Sequence, residues 1–260
     1  MVTYSMMAST LKKLTVSKNT QLNELIDLQI AQQDNVSSYY IPFDYISKQA
    51  KIVLIGITPG KTQLLNALTS AQEAINQQYS DTEILKYAKE QGAFSGNLRN
   101  TLIELLDYIG LNKKLDIITT ASLFNEHAHL VHTTSILRHP TFVNGQDYNG
   151  SRPDMLKHPI MLEQINTYLI DEIRQLPNAL YIPLGSSVSK VFEKLIKDGL
   201  INENQVLIGL PHPSGANNGR IAYFLGKKTK DSIKKNSTTN TEKIDLAKKN
   251  ILQKISLLTF

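Results

Sequence analysis

The chain has 260 residues, no cysteine and a formal charge of +5. The missing thiols exclude disulfides, thiolate zinc sites and iron–sulfur clusters, and they fit a reducing cytoplasm. No apolar run reaches the roughly 18 residues of a membrane span, while the length suffices for one domain with additions and a substantial core. The N-terminal MVTYSMMASTLKKL lacks the order of basic start, apolar core and small-residue cleavage site that marks a secretory leader, so a cytoplasmic location is expected. Between Arg220 and Lys254 ten Lys and Arg face only Asp231, Glu242 and Asp245, a net +7 that leaves −2 for the remainder. That concentration suits a polyanionic partner, and it equally suits a solvated helix face and linker.

In chain order, residues 1–19 are polar and weakly patterned and read as loosely held. Leu22, Leu25, Ile26, Leu28 and Ile30 suggest an amphipathic helix ending before Asn35. Ile52 to Ile57 is a β-branched apolar run of the kind buried on both sheet faces. Helices follow at about 63–78 and 83–91, the second opened by a Ser80-x-x-Glu83 capping box, and then NLRNTLIELLDYI, closed by Gly110. A short apolar run at Asp116 to Thr120 precedes a second strand at Leu130 to Leu137, and Thr141 to Asp154 reads as a long polar loop. Pro159 to Leu176 is helical, Ala179 to Leu184 is a third strand, Ser186 caps a helix stopping near Gly199, and Gln205 to Leu210 is a fourth strand. Residues 227–241 read as a flexible basic linker before a closing helix at Ile244 to Leu258. The fold expected is α/β, a three-layer sandwich around a mostly parallel four-stranded sheet. A helical extension (1–50) would precede the main domain (51–226), and the basic linker and last helix (227–260) would pack on it.

In such sheets ligands bind beyond the carboxyl ends of the strands. The four exits are Gly56-Ile57-Thr58-Pro59-Gly60, Thr134 to Arg138, Gly185-Ser186-Ser187 and His212-Pro213-Ser214. His212 stands between two prolines, which restrict the backbone on either side and present a single imidazole. A buried histidine bonded to backbone is the plain alternative.

Other chemistries have partial signals in the chain. Strand-GITPGKT-helix approaches a phosphate-binding loop with Lys61 and Thr62, but only three residues separate its first glycine from Gly60-Lys61, where the pattern needs four. His127, His129 and His132 form H-x-H-x-x-H, yet strand alternation would put His132 on the opposite face from the other two. Gly-x-Ser-x-Gly is absent, and Ser186 and Ser187 fit helix capping. No metal or cofactor is expected.

Taken together, the exits resemble the uracil-DNA glycosylase superfamily over roughly Lys51 to Phe224. The carriers are Gly56-x-x-Pro59-Gly60 after the first strand and the late His212-Pro213-Ser214. Between them lie AFSGNLRNTLIELL, HTTSILRHP and YIPLGSSVSKVF in the expected order. The resemblance implies an enzyme that extrudes a nucleotide and hydrolyses its N-glycosidic bond, acting as a monomer on DNA. It makes His212 the donor to the departing base and places Thr58 where water-activating members carry Asp or Asn. Phe94 would stack on the base, Ser135 stands where an asparagine reads its edge, and Gly56, Ile57 and Pro59 complete the pocket wall. Ser214, Gly215, Asn217, Asn218 and Arg220 would enter or grip the duplex, with Lys227, Lys228 and Lys230 on phosphates. Ser135 is shorter than asparagine and leaves room for a modified or damaged pyrimidine, with Phe142 and Tyr148 as candidate lining. Repair and defence against phage DNA are both open roles. So is a DNA-binding module of the same fold without catalysis, since a threonine hydroxyl is too weak a base to deprotonate water.

Overall fold

The computed structural model describes residues 1–233 and 239–260. The middle of the expected basic linker, 234–238, lies outside the described residues.

The chain opens with α1 (Tyr4–Lys13), where the sequence suggested a loose terminus. Burial of Tyr4 and Leu11 holds this helix, and the Gln72 side-chain amide donates to the carbonyls of Leu11 and Leu14. The amphipathic helix expected next is instead a 3-10 segment, Leu22–Leu28, followed by strands β1 (Gln29–Gln33) and β2 (Val36–Tyr39). Leu22, Leu25 and Leu28 recur every three residues, the 3-10 period, and Ile26, which the α-helical reading needed inside, is exposed. Strand β3 (Ile52–Gly56) is buried along its whole length. After it come α2 (Lys61–Asn76), α3 (Asp81–Gly92), α4 (Asn97–Tyr108) and the single turn α5 (Leu111–Lys114). The capping box forms, with the Ser80 N–H donating to Glu83 at 2.9 Å, and Gly110 closes α4 at φ +80°. The apolar run at 116–120 forms no strand, because Asp116 turns the backbone at φ +55°.

Strand β4 (Val131–Ser135) is shorter than expected, and the segment read as a polar loop contains a hairpin, β5 (Thr141–Val143) and β6 (Gln146–Asp147). Asn144 and Gly145 turn it with φ of +51° and +73°, the left-handed pair that a tight two-residue hairpin requires. The expected helix at 159–176 appears as α6 (Pro159–Gln164) and α7 (Ile170–Gln175), joined through a π-helical turn. Strand β7 (Leu180–Pro183), α8 (Ser186–Lys197), α9 (Asn218–Phe224) and α10 (Thr241–Leu257) complete the order.

The fold is α/β, with a central sheet of order β4-β3-β7. It has three strands where four were expected, since Val206 makes only an isolated bridge to Tyr181. A 3-10 turn at Glu203–Gln205 and Gly209 at φ +125° interrupt the extended backbone on either side. The segment still runs beside β7, with Leu207 N–H on the Tyr181 carbonyl at 2.8 Å and Gly185 N–H on the Leu210 carbonyl at 2.9 Å.

Two compact units make up the chain. The first comprises Met1–Lys48, Ile57–Ser95 and Thr133–Pro177. It holds an antiparallel sheet of order β1-β2-β5-β6, in which Ser37 faces Phe142 and Phe142 faces Asp147. Behind that sheet the Gln164 amide links three elements. It accepts the His139 N–H at 2.9 Å and donates to Ser38 Oγ at 2.9 Å and Thr141 Oγ1 at 3.1 Å. Beside it Arg138 is buried against Glu172, and Lys89 is buried with its ammonium donating to the carbonyls of Phe43 and Tyr45 at 3.2 and 2.7 Å. Desolvation holds the Lys89 pKa down at about 8.

The second unit comprises Gln49–Gly56, Gly96–His132 and Asn178–Phe260. Here β3 and β7 pair in parallel from Ile52 opposite Leu180 to Ile55 opposite Pro183. Val188, Val191, Phe192 and Leu195 form the buried stripe of α8, at the spacing an amphipathic helix needs. Helix α10 docks through Ile251 and Ile255, and the Lys254 ammonium donates to the carbonyls of Glu203 and Val206. A Cβ at Gly209 would lie 2.8 Å from that of Ala247, so the glycine sets how closely this helix approaches.

Candidate active site

In the second unit, His212 follows the broken strand and lies against the exit of β7. Leu184 N–H bonds the Ile55 carbonyl at 2.9 Å, which ties the β7 exit to the end of β3 beside Gly56. A Cβ built on Gly185 would stand 2.8 Å from His212 Cβ, and Gly185 sits at φ +89°. Only glycine meets both conditions. Gly185→Ala is therefore expected to displace the imidazole and cost about 1–3 kcal/mol in overpacking, with further strain from the left-handed backbone. Urea denaturation and a base-release assay on the same preparation check both effects.

The His212 ring is half-buried, and its Nδ1 accepts the Ser214 backbone N–H at 3.3 Å. Burial lowers its pKa to about 4, so the ring is neutral at physiological pH. With Nδ1 serving as acceptor, the one ring proton resides on Nε2. The sequence order His-Pro-Ser thus fixes both the position and the tautomer of a neutral hydrogen-bond donor.

Beyond it, Ser214 opens a 3-10 turn (Gly215–Asn217) leading into α9, which begins at Asn218. Asn217 Nδ2 donates to Ser214 Oγ at 3.0 Å, and Arg220 Nη1 donates to Asn217 Oδ1 at 3.1 Å. Ser214, Asn217 and Arg220 therefore form one linked row, while Gly215 and Asn218 are exposed. Lys227 pairs with Glu104 and Lys230 with Glu242 at 3.5 Å, so a phosphate at either would have to compete with a carboxylate. Lys228 is exposed.

The first motif starts at Gly56 in the second unit and continues through Ile57, Thr58, Pro59 and Gly60 in the first. Thr58 Oγ1 donates to the His139 carbonyl at 3.2 Å and accepts the Thr141 N–H at 3.1 Å. Its single proton is committed to a backbone carbonyl, which makes the hydroxyl a clamp between the first motif and the β4–β5 connection. Ile57 adds a second link, its carbonyl accepting the Leu137 N–H at 3.0 Å. Ser135 is half-exposed at the end of β4.

Phe94 is 6% exposed on the turn between α3 and α4, and its backbone is left-handed at φ +51°. That conformation is unusual for an aromatic residue and belongs with sites where the surroundings dictate the backbone. Asn66 Nδ2 donates to Ser95 Oγ at 3.0 Å and holds the turn. Phe142 and Tyr148 are core residues. Phe142 is 1% exposed with its ring edge-on to Tyr39, and the Tyr148 hydroxyl donates to the Pro153 carbonyl at 2.6 Å. Burial, aided by the charge of Asp154, raises the Tyr148 pKa to about 12.

One residue at the first motif escaped the sequence reading. Asp147, on β6, accepts the Lys61 backbone N–H on Oδ1 at 2.8 Å, and its Oδ2 lies 2.7 Å from where a Gly60 Cβ would stand. The carboxylate thus occupies the helix N-terminus that a phosphate would need in a nucleotide-binding loop, while the Lys61 ammonium bonds Gln21 Oε1 at 2.6 Å. Asn144-Gly145, the tight-turn pair between two short strands, was the signal that could have located this hairpin. His127 and His129 precede β4 rather than lying on it, and His132 is buried. Among the described residues these histidines belong to no group of three or more His, Asp or Glu that could hold a metal ion. No helix among the described residues is long and apolar enough to cross a membrane.

Behind Thr58, His139 is fully buried, with Nδ1 accepting the Ile41 N–H at 3.4 Å. Desolvation, helped by the charge of Arg138, lowers its pKa to about 3. Both histidines are therefore neutral in the folded chain over a range where unfolded histidine, with a pKa near 6.5, takes up a proton. Their contribution to stability is present above about pH 6.5 and is lost as pH falls toward 4. Burial pushes the Asp44 carboxyl up, which acts in the opposite sense. Urea midpoints of wild type and His139→Asn between pH 7.5 and 4.5 isolate the histidine, and the variant is expected to show the smaller acid loss.

The chain is an α/β protein with a parallel central sheet and a tautomer-fixed imidazole at a strand exit, and comparison with known proteins gives its family. The family model described as the uracil DNA glycosylase superfamily matches residues 43–237, and the chain belongs to that superfamily. It is similar to the uncharacterized protein YoxB of Bacillus subtilis (strain 168), with 32% identity over 221 residues, 84% of this chain and 86% of that protein. No solved structure matches.

Proposed function

We propose that this protein is a DNA glycosylase that flips a pyrimidine from the stack and hydrolyses its N-glycosidic bond, leaving an abasic site. The observation that carries this reading is the neutral His212 imidazole, its Nδ1 tied to the Ser214 N–H and its Nε2–H left as donor. As the glycosidic bond breaks, negative charge collects on the departing base, and a donor fixed beforehand stabilises it without reorganisation. In this reading Phe94 stacks on the base and Gly56, Ile57 and Pro59 wall the pocket. The linked row of Ser214, Asn217 and Arg220, with exposed Gly215 and Asn218, meets the phosphates and the gap left by the flipped nucleotide. Lys227 and Lys228 extend the basic surface, and Thr58 acts by holding the first motif in place.

Ser135 leaves space at the base edge, and the substrate inferred is a modified or damaged pyrimidine, met in repair or in defence against phage DNA. Phe142 and Tyr148, 1% and 4% exposed, belong to the core of the first unit. Free base released from duplexes carrying a panel of modified cytosines and uracils, read by mass spectrometry, tests this. Release from modified bases is expected. Activity on plain uracil alone would contradict the wider pocket.

A second reading is a non-catalytic DNA-binding module, and the observation favouring it is the Thr58 hydroxyl, whose proton is already bonded to the His139 carbonyl. Such a module would retard modified duplexes without releasing any base.

A further inference from the structure

Helix α10 buries Ile251 and Ile255, yet it also carries the two most exposed leucines among the described residues, Leu246 at 61% and Leu257 at 77%. They stand with Asn250 and Gln253 at spacings of four, three and four, which puts all four side chains on one face of the helix. Asn250 and Gln253 are exposed as well, and among the described residues neither amide has a hydrogen-bond partner. Beside this face runs a groove of about 690 Å³ between α8 and α10, lined by Ile196, Ile208 and Ala247. A single copy leaves this apolar surface in water.

The surface is complementary to itself. Leu246, Asn250, Gln253 and Leu257 have the same spacings and the same chemistry read in either direction. A second α10 laid antiparallel, about a two-fold axis between Ile251 and Leu252, sets Leu246 on the partner's Leu257 and Asn250 on the partner's Gln253. These are alternating a and d layers of a coiled-coil seam, with leucine against leucine and amides that both donate and accept. The charges select the same direction. Glu193 and Glu203 line the groove, and the Lys254 ammonium donates to the Glu203 carbonyl at 3.1 Å, which puts Glu203 beside the last turns of α10. Lys243 lines the groove at the other end, one turn before Leu246. All three side chains are exposed, and none forms a salt bridge among the described residues. The acids beside Lys243 are already engaged, Glu242 with Lys230 and Asp245 with the Tyr223 hydroxyl. Antiparallel docking brings the partner's Lys243 to Glu203, and the two-fold axis repeats the contact.

We infer that this face of α10 is a dimer interface whose occupant is a second copy of the chain in antiparallel register. The inference is independent of the glycosylase reading, and it replaces the monomer expected from the family resemblance.

Sedimentation velocity on the full chain between about 1 and 100 µM is expected to show a monomer–dimer equilibrium. Leu246→Glu is expected to weaken the dimer about 100-fold, since each dimer loses two buried leucines. At concentrations where wild type is monomeric, the variant is expected to melt as wild type does, because Leu246 is exposed in the single copy. Lys243→Glu and Glu203→Lys are each expected to weaken association several-fold, and the double variant, which reverses the pair, to recover it. Two results overturn the inference. One is a monomer at every concentration, which leaves the face to a helix of a different protein. The other is a dimer that both Leu246→Glu and Lys243→Glu leave intact, which means that another surface joins the copies.

Discussion

Replacing His212 by alanine is expected to slow base release by about 10²–10³, the usual loss when one preorganised donor to a developing anion is removed. The effect falls on the chemical step. The imidazole is neutral, and its Nε2–H becomes more valuable as charge collects on the base, so duplex binding survives the change. His212→Gln is the informative companion, because a side-chain amide restores a donor but loses the anchoring of Nδ1 to the Ser214 N–H at 3.3 Å. It is expected to recover part of the rate. Single-turnover rates at saturating enzyme, beside gel retardation of the same duplexes, separate chemistry from binding. Equal rates for wild type and His212→Ala would remove the imidazole from the mechanism.

The second large effect is on stability. Arg138 Nε and Nη2 both donate to Glu172 Oε1, at 2.9 and 2.6 Å, and the two side chains are only 5% and 2% exposed. The guanidinium also lies over the Tyr168 ring, 4.7 Å from its centroid. Glu172→Ala leaves that cation buried without its anion and is expected to cost about 3–5 kcal/mol. Glu172→Gln, which keeps an acceptor, is expected to cost less. The damage extends toward the candidate site, because Arg138 precedes His139, whose carbonyl accepts the Thr58 hydroxyl. Urea denaturation measures the loss, and a change below about 1 kcal/mol would mean that the pair is not the anchor its burial suggests.

The parts of the fold legible in the sequence were those with strong local signals. The uninterrupted IVLIG run gave β3, and the Ser80–Glu83 box and Gly110 marked helix ends that the structure reproduces. The first sheet escaped notice for two reasons. Leu22, Leu25 and Leu28 at a spacing of three pass for an amphipathic helix, and strands as short as β5 and β6 carry almost no periodicity. The fourth strand failed at Gly209, whose left-handed backbone answers to the approach of Ala247 on α10, a contact that local pattern cannot reveal. At the candidate site, His212 was legible because proline and serine neighbours mark it. The commitment of the Thr58 hydroxyl and the arrival of Asp147 at Gly60 were not, since both depend on partners more than 80 positions away in the chain.

Base release itself is the decisive event. Duplexes containing modified pyrimidines, incubated with wild type and then treated with alkali, report abasic sites directly as strand breaks at the modified position. Breaks are expected with wild type and almost none with His212→Ala, although both proteins retard the DNA. Retardation by wild type without any alkali-labile strand, across the whole panel, would contradict it.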